Sequence, residues 1–278
     1  MSILIVGSNG QLGRALQKLY PTAKLADSSE LDITNPTSVE NYDWRDIDII
    51  INAAAYTAVD NSETSEGRKS AWKVNAVGVA NLAKAAIKNN FTLVHVSSDY
   101  VFDGTTENHS EDEDFSPINV YGESKAAGDI ATSMVPQHYI ARTSWVIGEG
   151  KNFVRTMESL AERNIKPSVV SDQIGRLTFT EDLASGIKHL LDTKAPFGTY
   201  NITNDGESVS WADITKEIYK QCDKSADDVT PVTTEEYYAG KEGIAPRPLK
   251  STLDITKIKS TGFIPRDWKQ SLRDYLAK

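Results

Sequence analysis

Residues 3–19 read ILIVGSNGQLGRALQKL, and the change of character inside this stretch decides the fold. Ile3 to Val6 form an apolar run of strand length. Glycines follow at Gly7, Gly10 and Gly13, and then a helical pattern that Pro21 stops. A strand that turns on glycines into a helix supplies a tight turn, close approach of backbone N–H groups to a ligand, and tight helix–strand packing. N–H groups at a helix N-terminus suit a pyrophosphate. The spacing is G-x-x-G-x-x-G, not the G-x-G-x-x-G of the standard dinucleotide fingerprint. Asp27 lies 20 residues after Gly7, where a second strand should end. A carboxylate there binds ribose hydroxyls and repels a 2′-phosphate.

The same alternation continues outward. AKLADSS holds a short second strand, SVENYDWRD a short helix and IDIIINAAA a buried strand. SAWKVNAVGVANLAKAAIKNN predicts one long amphipathic helix ending on Asn, TLVHVSS a strand, VYGESKAAGDIATSM a helix and HYIARTSWVIG another strand. Strands alternating with helices predict parallel strands joined by right-handed crossovers, hence an α/β, Rossmann-type doubly wound parallel sheet. After about Gly148 the pattern loosens. NFVRTMESLAER, TEDLASGIKHLLD (with Thr180 as N-cap) and SWADITKEIYKQC (opened by Ser210) read as helices, KPSVVSD and GTYNIT as strands. Asp223 to Pro248 reads as irregular, and DWKQSLRDYLAK as a terminal helix. We therefore expect a dinucleotide-binding domain over 1–145 and a smaller C-terminal α/β substrate-binding lobe over 146–278, with some later elements packing back on the first.

The 278 residues carry a net charge of −9, with one cysteine, Cys222. An acidic chain with no basic run is a poor partner for nucleic acid or an anionic membrane surface. No Cys/His cluster has zinc spacing, and no apolar stretch approaches the ~18 residues of a membrane helix. A cytoplasmic protein without structural metal is expected.

Two further stretches carry chemistry. VHVSSDYVFDG ends a strand at Ser97 and Ser98, at the carboxyl edge of the sheet. NVYGESKAAG places Tyr121 and Lys125 one helical turn apart, on one face. An ammonium beside a phenol favours the phenolate and makes the tyrosine a usable acid. Tyr121 would protonate a carbonyl oxygen, Ser98 would polarise it, and Lys125 would lower the Tyr121 pKa and bind a nicotinamide ribose. This set suits hydride transfer to a ketone. Asp32 in LDIT reads as a turn or cap residue that could reach the adenine. The small residues of NAAAYTAVD allow a ligand close to the backbone. Trp145, read alone, is core packing.

Together GSNGQLG, INAAAYTAVD, VSSDYVFDG, NVYGESKAAG, ARTSWVIGEGKNFV, SDQIGRLTFTEDLA and APRPLKSTLD resemble the dTDP-4-dehydrorhamnose reductase family of extended short-chain dehydrogenases, nearly end to end. The resemblance implies reduction of the C4 ketone of dTDP-4-dehydro-L-rhamnose to dTDP-L-rhamnose with NADPH or NADH. It implies Tyr121 as proton donor, Lys125 as its partner and Ser98, where the family more often has Thr, as the third member. It implies dinucleotide contacts at Gly10, Gln11, Leu12, Asp27, Asp32, Ile33, Ala55, Tyr56 and Thr57. It also implies sugar contacts at Asp99 and Trp145, and Arg247 near the nucleotide diphosphate, where a guanidinium fork matches phosphate geometry. Some members form metal-bridged dimers, so a homodimer and Mg²⁺ are possible, though no residue here identifies the ligands.

Arg176-Leu177 departs from the family's small residue and Pro, Tyr56 stands where His is common, and Asp223 to Gly243 is not distinctive. These positions leave the reaction type standing and the sugar open. A reductase or epimerase of another nucleotide-linked keto-sugar, and a non-catalytic NAD(P)-binding regulatory subunit, remain alternatives. Asp27 predicts a lean toward NADH or parity, unless Lys24 or Arg14 moves toward a 2′-phosphate.

Overall fold

The computed structural model describes residues 2–277. Its centre is a six-stranded sheet built from β1 (Ile3–Val6), β2 (Lys24–Ala26), β3 (Ile49–Asn52), β4 (Thr92–Ser98), β5 (His138–Thr143) and β6 (Gly198–Asn201), in the order β6-β5-β4-β3-β1-β2. Every pairing is parallel. The chain reverses its direction of travel across the sheet at β1, between β2 and β3. A crevice for a ligand therefore opens at the carboxyl ends of these strands.

Side-chain alternation along β1 explains why the sheet is covered on both faces. Ile3 and Ile5 point to one side, where they pack with Leu12 and Leu16 of α1 (Gln11–Leu19) and Leu183 and Ile187 of a later helix. Leu4 and Val6 point to the other and join Ile50, Leu82 and Phe91. That face is closed by α2 (Pro36–Asn41), α3 (Ser65–Trp72), α4 (Val79–Asn89) and α5 (Val120–Ser133). The sixth strand and the helix on the first face both come from the second half of the chain.

Four local readings change. The long helix expected over 70–90 is α3 and α4 joined by a π-helical segment, Lys73–Gly78, and its end at Asn90 has φ 58°, as expected for a terminal Asn. The strand expected over 138–148 is cut at Trp145, which adopts φ 47°. Only Val146–Ile147 resumes, paired with Thr178–Phe179. Thr180 is the first residue of its helix, not the cap. Phe179 holds the cap position and makes no side-chain capping bond. The segment expected to be irregular contains a strand, Thr230–Val232, paired with Ser168–Val170, and a short helix.

The remaining helices are α6 (Phe153–Glu162), α7 (Thr180–Thr193), α8 (Trp211–Gln221), α9 (Thr234–Tyr238), α10 (Thr256–Ser260) and α11 (Trp268–Leu276). Ser210 and Asp213 form a reciprocal capping box at α8, so that helix starts where the serine predicts. Ile214, Ile218, Trp268, Leu272 and Leu177 make a separate apolar cluster under this smaller α/β part. Among the described residues no helix is long and apolar enough to cross a membrane.

Candidate active site

The glycine loop is built as its spacing requires. Gly7 has φ 74°, and a Cβ on it would lie 2.6 Å from the Ala54 nitrogen. A Cβ on Gly13 would lie 2.4 Å from the Gly7 and Ser8 carbonyl oxygens, whereas one on Gly10 would meet only Gly7 O, at 3.3 Å. Gly10 holds the N-cap position of α1 and offers no side-chain cap, so the first N–H groups of Gln11, Leu12 and Gly13 are open to an anion. A backbone held close and an uncapped helix start fit the pyrophosphate of a dinucleotide.

One cleft beside this loop is lined by Gly7, Gly10, Asp27, Asp32, Ile33 and Ala55. Asp27 accepts hydrogen bonds from the Ser29 N–H and hydroxyl at 2.7 Å and from Asn9 Nδ2 at 2.5 Å. The Ser29 bonds hold its carboxyl down at about 2. Asp32 accepts from the Thr34 N–H and hydroxyl, the turn role that its residue type suggested. The Ile33 side chain packs where a Cβ on Gly78 would sit.

Other expected dinucleotide contacts lie elsewhere. Leu12 is a core residue, 8% exposed, so only its backbone faces the loop. The Gln11 side chain packs toward Gly148 and Lys151. The Tyr56 backbone is gripped on both sides by Asn75 of the π-helical segment, whose Oδ1 accepts from Tyr56 N at 2.8 Å and whose Nδ2 donates to Tyr56 O at 3.1 Å. Thr57 is exposed just beyond. Of the two cations considered for a 2′-phosphate, Arg14 donates to Asn9 O at 2.9 Å, whereas Lys24 is turned to Asp43 O and the Tyr42 ring.

The second group converges at the carboxyl end of β4. Asn119 caps α5 by accepting from Gly122 N at 2.8 Å. This brings Tyr121 and Lys125 onto the face that looks at Ser98. Ser98 donates to Asp99 Oδ1 at 3.1 Å and accepts from Tyr100 N at 3.2 Å. Tyr121 is half-buried and packs edge-on against Tyr100, ring centres 5.5 Å apart. Burial pushes its phenol up to about 12, and a hydrogen bond with the Ser98 side chain pulls the other way. The expected depression of the phenol by Lys125 is absent here. The Lys125 ammonium, 1% exposed, instead donates to Val96 O at 2.7 Å. Burial lowers its own pKa to about 8, against the pull of Asp129. Asp99 is 3% exposed. Burial raises its carboxyl to about 6, while hydrogen bonds from Ser251 and Ser98 lower it. Its Oδ2 has no hydrogen-bond partner.

Arg247 reaches the same region from the C-terminal part. It donates to Asp60 Oδ1 at 2.7 Å and to Ala245 O at 2.8 Å, and Asn119 ties its loop to α5 through Pro246 O at 2.8 Å. Trp145 follows the end of β5, two residues after Thr143, the register partner of Ser98. It stacks on Trp211 with ring centres 3.8 Å apart, against the space that a Cβ on Gly175 would fill. Arg176 is 7% exposed and Leu177 fully buried. Arg176 donates to Leu253 O and lies 3.7 Å from Asp205.

Sequence reasoning missed the groups behind Lys125: His95, Asn52, Asp129 and Arg142, all 4% exposed or less. The available signal was a polar residue inside an otherwise apolar buried strand, at His95 and Asn52. Among the described residues no cluster of three His, Cys, Asp or Glu is placed to hold a metal ion.

Residues 1–278 match the family model described as RmlD substrate binding domain. The dTDP-4-dehydrorhamnose reductase of Aggregatibacter actinomycetemcomitans is 40% identical, over 99% of this chain and 98% of that protein. The crystal structure of a dTDP-4-dehydrorhamnose reductase from Clostridium acetobutylicum superposes with a TM-score of 0.91 at 39% identity, covering 100% of this chain and 99% of that one. That of the Bacillus anthracis enzyme, in complex with NADP, gives 0.89 at 36% identity, covering 99% and 98%.

Proposed function

The chain belongs to the dTDP-4-dehydrorhamnose reductase family, and from that premise we propose that it reduces the C4 ketone of dTDP-4-dehydro-L-rhamnose to dTDP-L-rhamnose. It is an NAD(P)-dependent oxidoreductase of the dTDP-sugar reductase type. The observation that carries the proposal is the meeting of Ser98, Tyr121 and Lys125 at the carboxyl edge of the sheet that also holds the uncapped start of α1.

A bound reduced nicotinamide supplies the hydride. Tyr121, whose high pKa keeps its proton at neutral pH, gives that proton to the carbonyl oxygen as charge develops there. Ser98 holds the same oxygen by turning its hydroxyl proton from Asp99 Oδ1 to it. Lys125 carries positive charge beside the phenol and offers N–H donors to a ribose. The loop from Gly7 to Gly13 binds the pyrophosphate, and Asp27 accepts from ribose hydroxyls. Arg247 and Asp99 serve the nucleotide diphosphate and the sugar, with the lobe from 146 onward completing the substrate site. The departures at Arg176 and Leu177 are taken up by packing and by the Leu253 carbonyl, which supports retention of the family's sugar.

The test is oxidation of NADPH and NADH, followed by absorbance, with dTDP-4-dehydro-L-rhamnose and a panel of other dTDP-keto-sugars. Turnover of the first with formation of dTDP-L-rhamnose is expected. Turnover confined to another keto-sugar would refute the substrate and keep the reaction class.

A further inference from the structure

His95 lies in β4 at 0% exposure, directly behind Lys125, and its tautomer can be deduced from its neighbours. Asn52 sits on β3 with its Oδ1 accepting from the Ala54 N–H at 3.1 Å. That bond orients the amide, so Asn52 Nδ2 is the atom 3.1 Å from His95 Nδ1. An amide nitrogen only donates, so His95 Nδ1 is an acceptor and carries no proton. The ring is neutral, because burial and the Lys125 charge hold its pKa well below the ordinary value. Its one proton is therefore on Nε2.

Nε2–H faces two groups. Lys125 Nζ is 3.4 Å away, and Asp129 Oδ1, toward which the Ser97 hydroxyl also turns, is 3.8 Å away. The other Asp129 oxygen accepts from Arg142 Nε at 3.0 Å. Room for the ring comes from Gly128, where a Cβ would lie 3.2 Å from Nε2. An N–H cannot accept from an ammonium. Lys125 therefore cannot dock backward on the ring, and commits one N–H to Val96 O at 2.7 Å.

We propose that His95 is a positioning residue for Lys125: Asn52 locks the ring with its proton on Nε2, and this N–H stands between the ammonium and Asp129, holding Lys125 forward with two N–H donors for the cofactor ribose and Tyr121. This deepens the ketoreductase reading and rests on it. The opposite tautomer would present a lone pair to the ammonium, and Lys125 would turn its donors away from the site. The charged or titratable groups around Lys125 are His95 on β4, Asp129 and Tyr121 on its own helix, and Arg142 on β5 behind Asp129.

The test begins on the unmodified protein. In ¹⁵N-histidine spectra, with the His95 signals identified by their loss in His95→Gln, Nδ1 should be unprotonated and Nε2 protonated from neutral pH upward. A proton on Nδ1 overturns the proposal. The second arm is the pH profile of kcat/KM. Removal of the N–H in His95→Leu takes away the donor between Lys125 and the Asp129 carboxylate, which stays paired with Arg142, and this favours the charged amine, so the alkaline limb should move up by about one unit. His95→Gln, which keeps an N–H donor at similar reach, should restore it. A merely structural role would lower the activity of both variants and leave the limb in place, and that result also overturns the proposal. If the wild type reduces no dTDP-keto-sugar, the functional reading fails, while the spectra still decide the tautomer.

Discussion

Lys125 Nζ donates to the Val96 carbonyl at 2.7 Å, so the site's one buried ammonium is anchored to the strand that carries Ser98 and not to the phenol of Tyr121. The two pKa values then part in a definite order. Lys125 titrates at about 8 and Tyr121 at about 12. The alkaline limb of kcat/KM for the free enzyme should therefore fall as pH rises through about 8 and report loss of the lysine charge. Lys125→Met should be slow throughout, with no such limb. A wild-type limb only above pH 10 would show that Lys125 keeps its ordinary value. For stability the sign is opposite: the folded state sheds this proton before the unfolded one, so this residue's contribution rises with pH between about 8 and 10.5.

Tyr121→Phe removes the donor and leaves the ring against Tyr100. We expect kcat to fall ~10²–10⁴-fold, the range for a positioned acid, with NADPH affinity within about twofold of wild type. Stopped-assay turnover and nicotinamide fluorescence titration check the two halves separately. Near-normal turnover would remove Tyr121 from its role.

Asp99 is a buried carboxyl held at a cost to stability. Burial raises its carboxyl from 3.8 to about 6, so the folded state resists ionisation. The destabilisation is absent below about pH 4 and fully present above about pH 6. Asp99→Asn should be more stable than wild type by on the order of 1–3 kcal/mol at pH 7. The difference should vanish by pH 4 in denaturant unfolding. Activity should fall in the same variant, because the unpartnered Oδ2 is lost as an acceptor for the sugar.

Asp27 and Lys24 make a paired test of cofactor choice. The Asp27 carboxylate faces the loop through Asn9, so Asp27→Asn should lower KM for NADPH relative to NADH by roughly fivefold, the scale of one surface charge contact of about 1 kcal/mol. Lys24 points to Asp43 and Tyr42, so Lys24→Ala should leave the NADPH/NADH ratio unchanged. A drop in NADPH use on losing Lys24 would place it at the 2′-phosphate.

Gly13 and Gly10 look alike in sequence and differ in space. A Cβ at Gly13 meets two carbonyl oxygens at 2.4 Å, so Gly13→Ala should cost about 1–3 kcal/mol as overpacking and weaken NADPH binding. Gly10→Ala, with φ −71° and one contact at 3.3 Å, should keep thermal stability close to wild type. Equal losses in both would mean that ligand access, and not α1 packing, governs the loop.

Sequence alone determined those features that rest on neighbours along the chain. The continuous apolar run of Ile3 to Val6, the glycines after it, the one-turn spacing of Tyr121 and Lys125, and Ser98 at a strand end are local, so pattern and residue chemistry suffice to read them. The cap at Ser210 was legible for the same reason. Only the tertiary structure decided the rest. It placed Gly198–Asn201 as the sixth strand of the main sheet, bent Trp145 into φ 47° against Trp211, opened the π-helical segment so that Asn75 grips Tyr56, and set His95, Asn52 and Asp129 behind Lys125. These contacts join residues far apart in the chain. Their energy comes from packing and buried hydrogen bonds that exist only once distant strands are side by side, and local propensity carries no record of that.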